Sequence, residues 1–169
     1  MIHVCSLSKV EETVAKTGAE RLLSLLAAGT DVTRPASIAA ENHLHLVMHD
    51  IAVAQEGMTM PGEEHVRALL DFAYRWDRVK PLVVHCYAGV SRSTASAYII
   101  AAALAPRRDE MELARTLRLL SPTATPNPRL IAVADMLLQR DGRMIAAIEA
   151  IGRGADAFEG TPFELAIEG

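Results

Sequence analysis

Pro81-Leu82-Val83-Val84-His85-Cys86-Tyr87-Ala88-Gly89-Val90-Ser91-Arg92-Ser93 decides the fold of this chain. The segment opens as a short, wholly apolar run, the pattern of a strand buried at the centre of a sheet. It leads into a helix-forming run, Thr94-Ala95-Ser96-Ala97-Tyr98-Ile99-Ile100-Ala101. Between them lies a tight loop in which five residues separate a cysteine from an arginine. A strand, a loop and a helix N-terminus make an anion cradle. Backbone N–H groups converge there, and the helix dipole favours negative charge. Cys86, at the mouth of the cradle, would be held as the nucleophilic thiolate. Arg92 offers a planar, bidentate fork suited to phosphate. Gly89 permits the positive φ that lets successive amides face one anion. Tyr87, Ala88, Val90 and Ser91 would add mainly backbone donors.

Outward from this segment, hydrophobic patterning supplies the other elements. Residues 2–5 alternate like a short strand, and Ser8 is placed to cap a helix over 9–16 that ends at Gly18. Residues 21–27 form an apolar run read as a strand, and 43–48 a third strand. Two glycines and a proline make 55–62 a mobile loop. Val66, Leu69, Leu70, Ala73 and Trp76 fall on one helical face. Downstream the chain is helical: 93–105 up to Pro106, a helix capped by Asp109, one from Pro128 to Gln139, and one over 143–151. Strands first, then helices around a parallel centre, predict an α/β fold. It has three layers, with a central, mainly parallel sheet and helices on both faces. The carboxyl end of the central strand is the usual ligand site in such sheets. Residues 1–152 are expected to form one domain, and 153–169 a poorly ordered tail.

Composition narrows the function. With 169 residues, half of them hydrophobic, the chain can bury a full core. A net charge of −4 without a basic block argues against nucleic acid and anionic membranes as partners. Cys86 has a chemical role, which leaves Cys5 without a disulfide partner and as a small buried hydrophobe. A reducing, cytoplasmic setting suits that. The N-terminal residues lack a signal-peptide pattern, and no apolar run is long enough to span a bilayer. The alanine-rich, aromatic-poor composition is compatible with a bacterial protein.

The segment 85–93 resembles the signature of the cysteine-dependent protein tyrosine phosphatases, His-Cys-x-x-Gly-x-x-Arg-Ser/Thr. It is most similar to the dual-specificity branch, where a serine stands at the position of Ser91. The resemblance extends over roughly residues 40–140. Asp50, in Met48-His49-Asp50-Ile51, sits where that family carries its general acid, and Pro126-Asn127 matches a pair that opens a helix behind the loop. The resemblance implies hydrolysis of a phosphate monoester through a phosphocysteine on Cys86. Arg92 would bind the phosphoryl oxygens, Asp50 would be the acid, and Ser93 would assist breakdown of the intermediate. His85 would order the loop, and Asn127 would tie it to the helices behind or cap its helix. Asp31 and Asp71 are rivals to Asp50.

No metal or other cofactor is expected. His43, His45 and His49 alternate with apolar residues and read as one strand face, since no cysteine or carboxylate cluster accompanies them at ligand spacing. The expected substrate is a phosphorylated protein, on phosphotyrosine with phosphoserine or phosphothreonine also open, or a small phosphomonoester. Tyr87 and Val90 are uncharged, which disfavours a highly phosphorylated inositol head group. A lipid or metabolite phosphatase and a phospho-binding pseudophosphatase remain the alternatives. Low-molecular-weight arsenate reductases carry the Cys-x5-Arg loop near the N-terminus, unlike this chain. Rhodanese-like phosphatases share the Cys-x5-Arg spacing, but Asp50 and Pro126-Asn127 favour the dual-specificity branch. Nothing in the sequence reports the oligomeric state.

Overall fold

The computed structural model describes residues 1–168. Among these residues, five strands form one sheet: β1 (Ile2–Ser6), β2 (Arg21–Leu26), β3 (His43–Val47), β4 (Leu82–Cys86) and β5 (Phe163–Leu165). Their order is β3-β2-β4-β1-β5. The first four are parallel, and β5 runs antiparallel to β1. β4 lies between β2 and β1 and is buried along its whole length, as its unbroken apolar run predicts.

Among the described residues, six α-helices cover the sheet unevenly: α1 (Val10–Thr17), α2 (Glu63–Tyr74), α3 (Arg92–Leu104), α4 (Glu110–Leu120), α5 (Pro128–Leu137) and α6 (Arg143–Ile151). On one face, Val10 and Val14 of α1 pack with Cys5, Leu22, Ile38 and Val83. The other face carries the main core, built from α2 to α6. α3 sits at its centre, buried from Arg92 to Ala103. Ala95, Ala97, Ala101, Ala102 and Ala103 make that placement sterically easy, because a thin helix can be surrounded by other elements. The mainly parallel sheet with helices on both faces is the architecture expected from the sequence.

One local expectation is corrected. Ser8 does not cap α1. It lies in a 3₁₀ turn, Leu7–Lys9, and its hydroxyl meets the Glu159 carboxylate instead. Part of the tail from 153 is built into the sheet. Val4 and Phe163, His3 and Glu164, and Ile2 and Leu165 pair across β1 and β5. Arg108 Nη1 donates to the carbonyls of Ala166 and Ile167 at 2.7 and 2.9 Å. The tail lacks a long apolar pattern, and three residues added to an existing edge need none: the ladder supplies the partners. Among the described residues, no helix is long and apolar enough to cross a membrane.

Candidate active site

The site forms where β4 ends and α3 begins. Cys86 is the last residue of β4 and Arg92 the first of α3, so one strand and one helix fix both ends of the loop. Gly89 holds φ at +73°, and a Cβ there would lie 2.8 Å from the Cys5 carbonyl carbon and the Ser6 nitrogen. Only glycine fits both the conformation and the contact. The Gly89 N–H donates to Cys86 Sγ at 3.3 Å, and the Ser93 hydroxyl lies 3.1 Å from the same sulfur. Cys86 is buried, with two donor groups facing it from its own loop and helix.

Arg92 is 7% exposed. Its Nη1 donates to the Met48 carbonyl at 2.8 Å, while the buried Nε has no protein partner. A buried guanidinium N–H without an acceptor is costly and uncommon. The N-terminus of α3 is also left without a side-chain cap. Ser91, well suited to that task, gives its hydroxyl to Asp50 Oδ1 instead, at 2.7 Å. A buried arginine edge and an uncapped helix start therefore meet at one short loop. That arrangement is suited to an oxyanion.

Asp50 lies just beyond β3, exposed to solvent. Its Oδ1 also accepts from Asn127 Nδ2 at 2.8 Å, so only Oδ2 remains without a protein donor. Asp50 lies between β3 and the stretch 55–62, which reads from the sequence as a mobile loop, and the chain joining them is closed at its neck. His49 N–H donates to Thr59 O at 2.8 Å, and Thr59 N–H returns a bond to His49 Nδ1 at 2.9 Å. Asn127 occupies both positions considered for it. Its Oδ1 caps α5 by accepting from the Arg129 and Leu130 amides at 3.0 Å, and its amide group holds Asp50 and Ile51 O. Of the rivals, Asp31 is exposed in a loop, and Asp71, on α2, pairs with Arg75 just beyond the helix end at 2.6 Å.

His85 is fully buried, and burial pushes its pKa down to about 4. It is therefore neutral near pH 7. Its Nδ1 faces the Cys86 carbonyl at 3.3 Å, which can only accept, so Nδ1 carries the proton. Nε2 then accepts from the Ser24 hydroxyl at 2.6 Å, and Ser24 in turn accepts from His43 Nε2 at 2.8 Å. The ladder runs His43, Ser24, His85, Cys86 across β3, β2 and β4. Sequence reasoning missed Ser24, although a lone hydroxyl within the leucine-rich β2 was a signal. His45 stacks on His43 with ring centroids 6.2 Å apart, whereas His49 turns to Thr59, so the three do not converge.

Beside the loop, Leu7, Ser8, Tyr87, Phe158 and Glu159 line a groove of about 380 Å³. Glu159, whose carboxylate accepts from Ser6 and Ser8, and the exposed Tyr87 both line this groove. Tyr98 and Glu110 act elsewhere: the Tyr98 hydroxyl donates to Glu110 O at 3.0 Å and locks α3 to α4.

No protein-family model matches the sequence, and no curated relative matches it significantly. Solved structures do match. PTPMT1, crystallised with PI(5)P, aligns with a TM-score of 0.64 at 13% identity over 89% of this chain and 94% of its own. DUSP15 aligns at 0.62 and 16% identity over 88% and 90%. The PTP-2 phosphatase of Cydia pomonella aligns at 0.62 and 17% identity over 80% and 84%. At such identities the likeness concerns the backbone: the chain has the fold of the dual-specificity phosphatases.

Proposed function

We propose that this chain hydrolyses phosphate monoesters through a phosphocysteine on Cys86. The observation that carries the proposal is the unpartnered, buried Arg92 Nε at the end of a loop whose Gly89 N–H points at the Cys86 sulfur. Cys86 Sγ attacks phosphorus, the S–P bond forms and the ester P–O bond breaks. Asp50 gives its proton to the departing oxygen. Arg92 and the loop amides hold the equatorial oxygens, whose charge persists through the transition state. Water then attacks the phosphocysteine and Asp50 takes its proton. The sulfur leaves as thiolate, with the Ser93 hydroxyl donating to it. Ser91 and Asn127 orient Asp50 by binding Oδ1, which leaves Oδ2 for the proton.

Phosphotyrosine on a protein is the substrate we favour, with phosphoserine and phosphothreonine next. Tyr87 and Val90 bring no positive charge to the loop, and Glu159 adds a negative one to the groove that Tyr87 lines. A head group with several phosphates would be repelled there. A phosphoinositide monophosphate is the second reading, favoured by the likeness to PTPMT1 bound to PI(5)P. Rates on phosphotyrosine peptides, phosphoserine peptides and PI(5)P vesicles separate the two. Phosphotyrosine should turn over fastest; a dominant rate on PI(5)P would select the second reading, and no turnover of any ester would reject both.

A further inference from the structure

We propose that the C-terminal segment 154–165 is a working part of the site, and that the Gly160 N–H is a positioning group for the Gly89 amide. The inference rests on the reading of Cys86 as nucleophile. In a trans peptide the C=O and N–H point in opposite directions. Fixing an outward carbonyl of the loop therefore aims the following N–H inward. Four carbonyls of the loop are fixed in this way. Tyr87 O accepts from Leu7 N at 3.1 Å, Ala88 O from Gly160 N at 2.8 Å, Val90 O from Thr125 N at 2.9 Å, and Ser91 O from Asn127 N at 3.3 Å.

The second of these tethers differs from the rest. It acts on the Ala88–Gly89 peptide, whose N–H is the one that reaches Cys86 Sγ. Gly89 has no side chain to restrain its backbone, so the plane of this peptide depends on outside contacts. Gly160 is fitted to supply one. A Cβ on Gly160 would lie 2.8 Å from Gly89 O, so only glycine brings its N–H this close without a shift.

The segment is itself clamped on both sides of Gly160. Ser6 and Ser8 both donate to the Glu159 carboxylate. Upstream, Ala155 N bonds Pro122 O at 2.9 Å, and Gly154 N bonds the hydroxyl of Thr125, the residue that tethers Val90, at 3.1 Å. Downstream, β5 is zipped to β1. The tail thus acts as a strap, anchored at both ends, that presses one N–H onto the loop.

The test uses the full-length protein with two variants. Gly160→Pro removes the donor, and Glu159→Ala cuts the clamp while keeping it. The readouts are kcat/KM on an aryl phosphate, the pH midpoint of Cys86 alkylation by iodoacetamide, and the thermal midpoint. Misplacing a group at a reacting centre costs up to about 10²-fold. We expect Gly160→Pro to approach that loss in kcat/KM and to move the alkylation midpoint to higher pH. Glu159→Ala should move both in the same direction by less. If Gly160→Pro fails to fold, Glu159→Ala decides. A folded variant that alkylates and turns over like the wild type overturns the proposal. The two ideas fail separately: a wild type with no phosphatase activity removes the proposed function, while the alkylation profile still tests the strap.

Discussion

The segment Leu82–Leu104 and the C-terminal segment 154–165 meet at the same loop and hold it by different physics. The first sets the loop from within. A fully buried strand and a buried, alanine-rich helix fix its two ends through hydrophobic packing. The second holds it from outside through single backbone bonds and the close approach of two glycines. Packing leaves a long signature in sequence, because many side chains must be apolar. A backbone bond between distant residues leaves almost none. One part of this site is therefore written in a motif, and another is visible only in three dimensions.

The largest effects should come from the inner segment. Cys86→Ser should bring turnover to background while the protein still folds and binds tungstate, because a hydroxyl is a far weaker nucleophile than a thiolate. Steady-state kinetics with a tungstate titration checks both halves, and appreciable turnover in the variant would remove the covalent mechanism. Asp50→Asn should slow aryl phosphates with basic leaving groups by about 10²–10⁴-fold, the range of lost general-acid catalysis. Activated esters should suffer much less. Plots of log(kcat/KM) against leaving-group pKa for the two proteins should differ in slope; parallel lines would turn attention to Asp31.

Gly89→Ala probes the point where the two regions touch. The new Cβ needs space held by the Cys5 and Ser6 backbone, and φ is +73°. Strain of this kind costs at least about 2 kcal/mol. Urea unfolding should report that loss, and phosphate-analogue affinity should fall with it. Unchanged stability would mean that the loop is less confined than its contacts imply.

Much of the molecule was legible because the relevant signals are local. The apolar run before Cys86 gave the central strand, Asp109 its cap, and Gly18 the end of α1. Asp50 and Asn127 were picked out by resemblance, and they lie together through Oδ1 and Nδ2. The tethers of the loop were not legible. The amides of Leu7, Thr125 and Gly160 act through groups that every residue other than proline possesses. β5 is three residues long on an edge whose partner lies at the opposite end of the chain. Nor does a sequence show that Ser8 will choose Glu159 over a helix start.

The last effect concerns the histidine ladder behind Cys86. His85 has its pKa lowered from 6.5 to about 4 by burial, so the folded state binds fewer protons than the unfolded state between those values. Stability from this group is complete above pH 6.5, declines as pH falls through that window, and levels off below 4. The whole loss is at most about 3 kcal/mol. Urea midpoints at several pH values, for the wild type and His85→Gln, measure it. The variant should show a flatter decline, and equal slopes would assign the acid sensitivity elsewhere.

The most direct measurement is to trap the intermediate. The protein is quenched in acid during turnover of an aryl phosphate, digested, and its peptides are weighed by mass spectrometry. The added mass of one phosphoryl group should appear on the peptide that contains Cys86, and should vanish in Cys86→Ser. A phosphoryl group on Cys5 or on a histidine, or turnover with no phosphoenzyme in the wild type under conditions that preserve phosphocysteine, would contradict the mechanism.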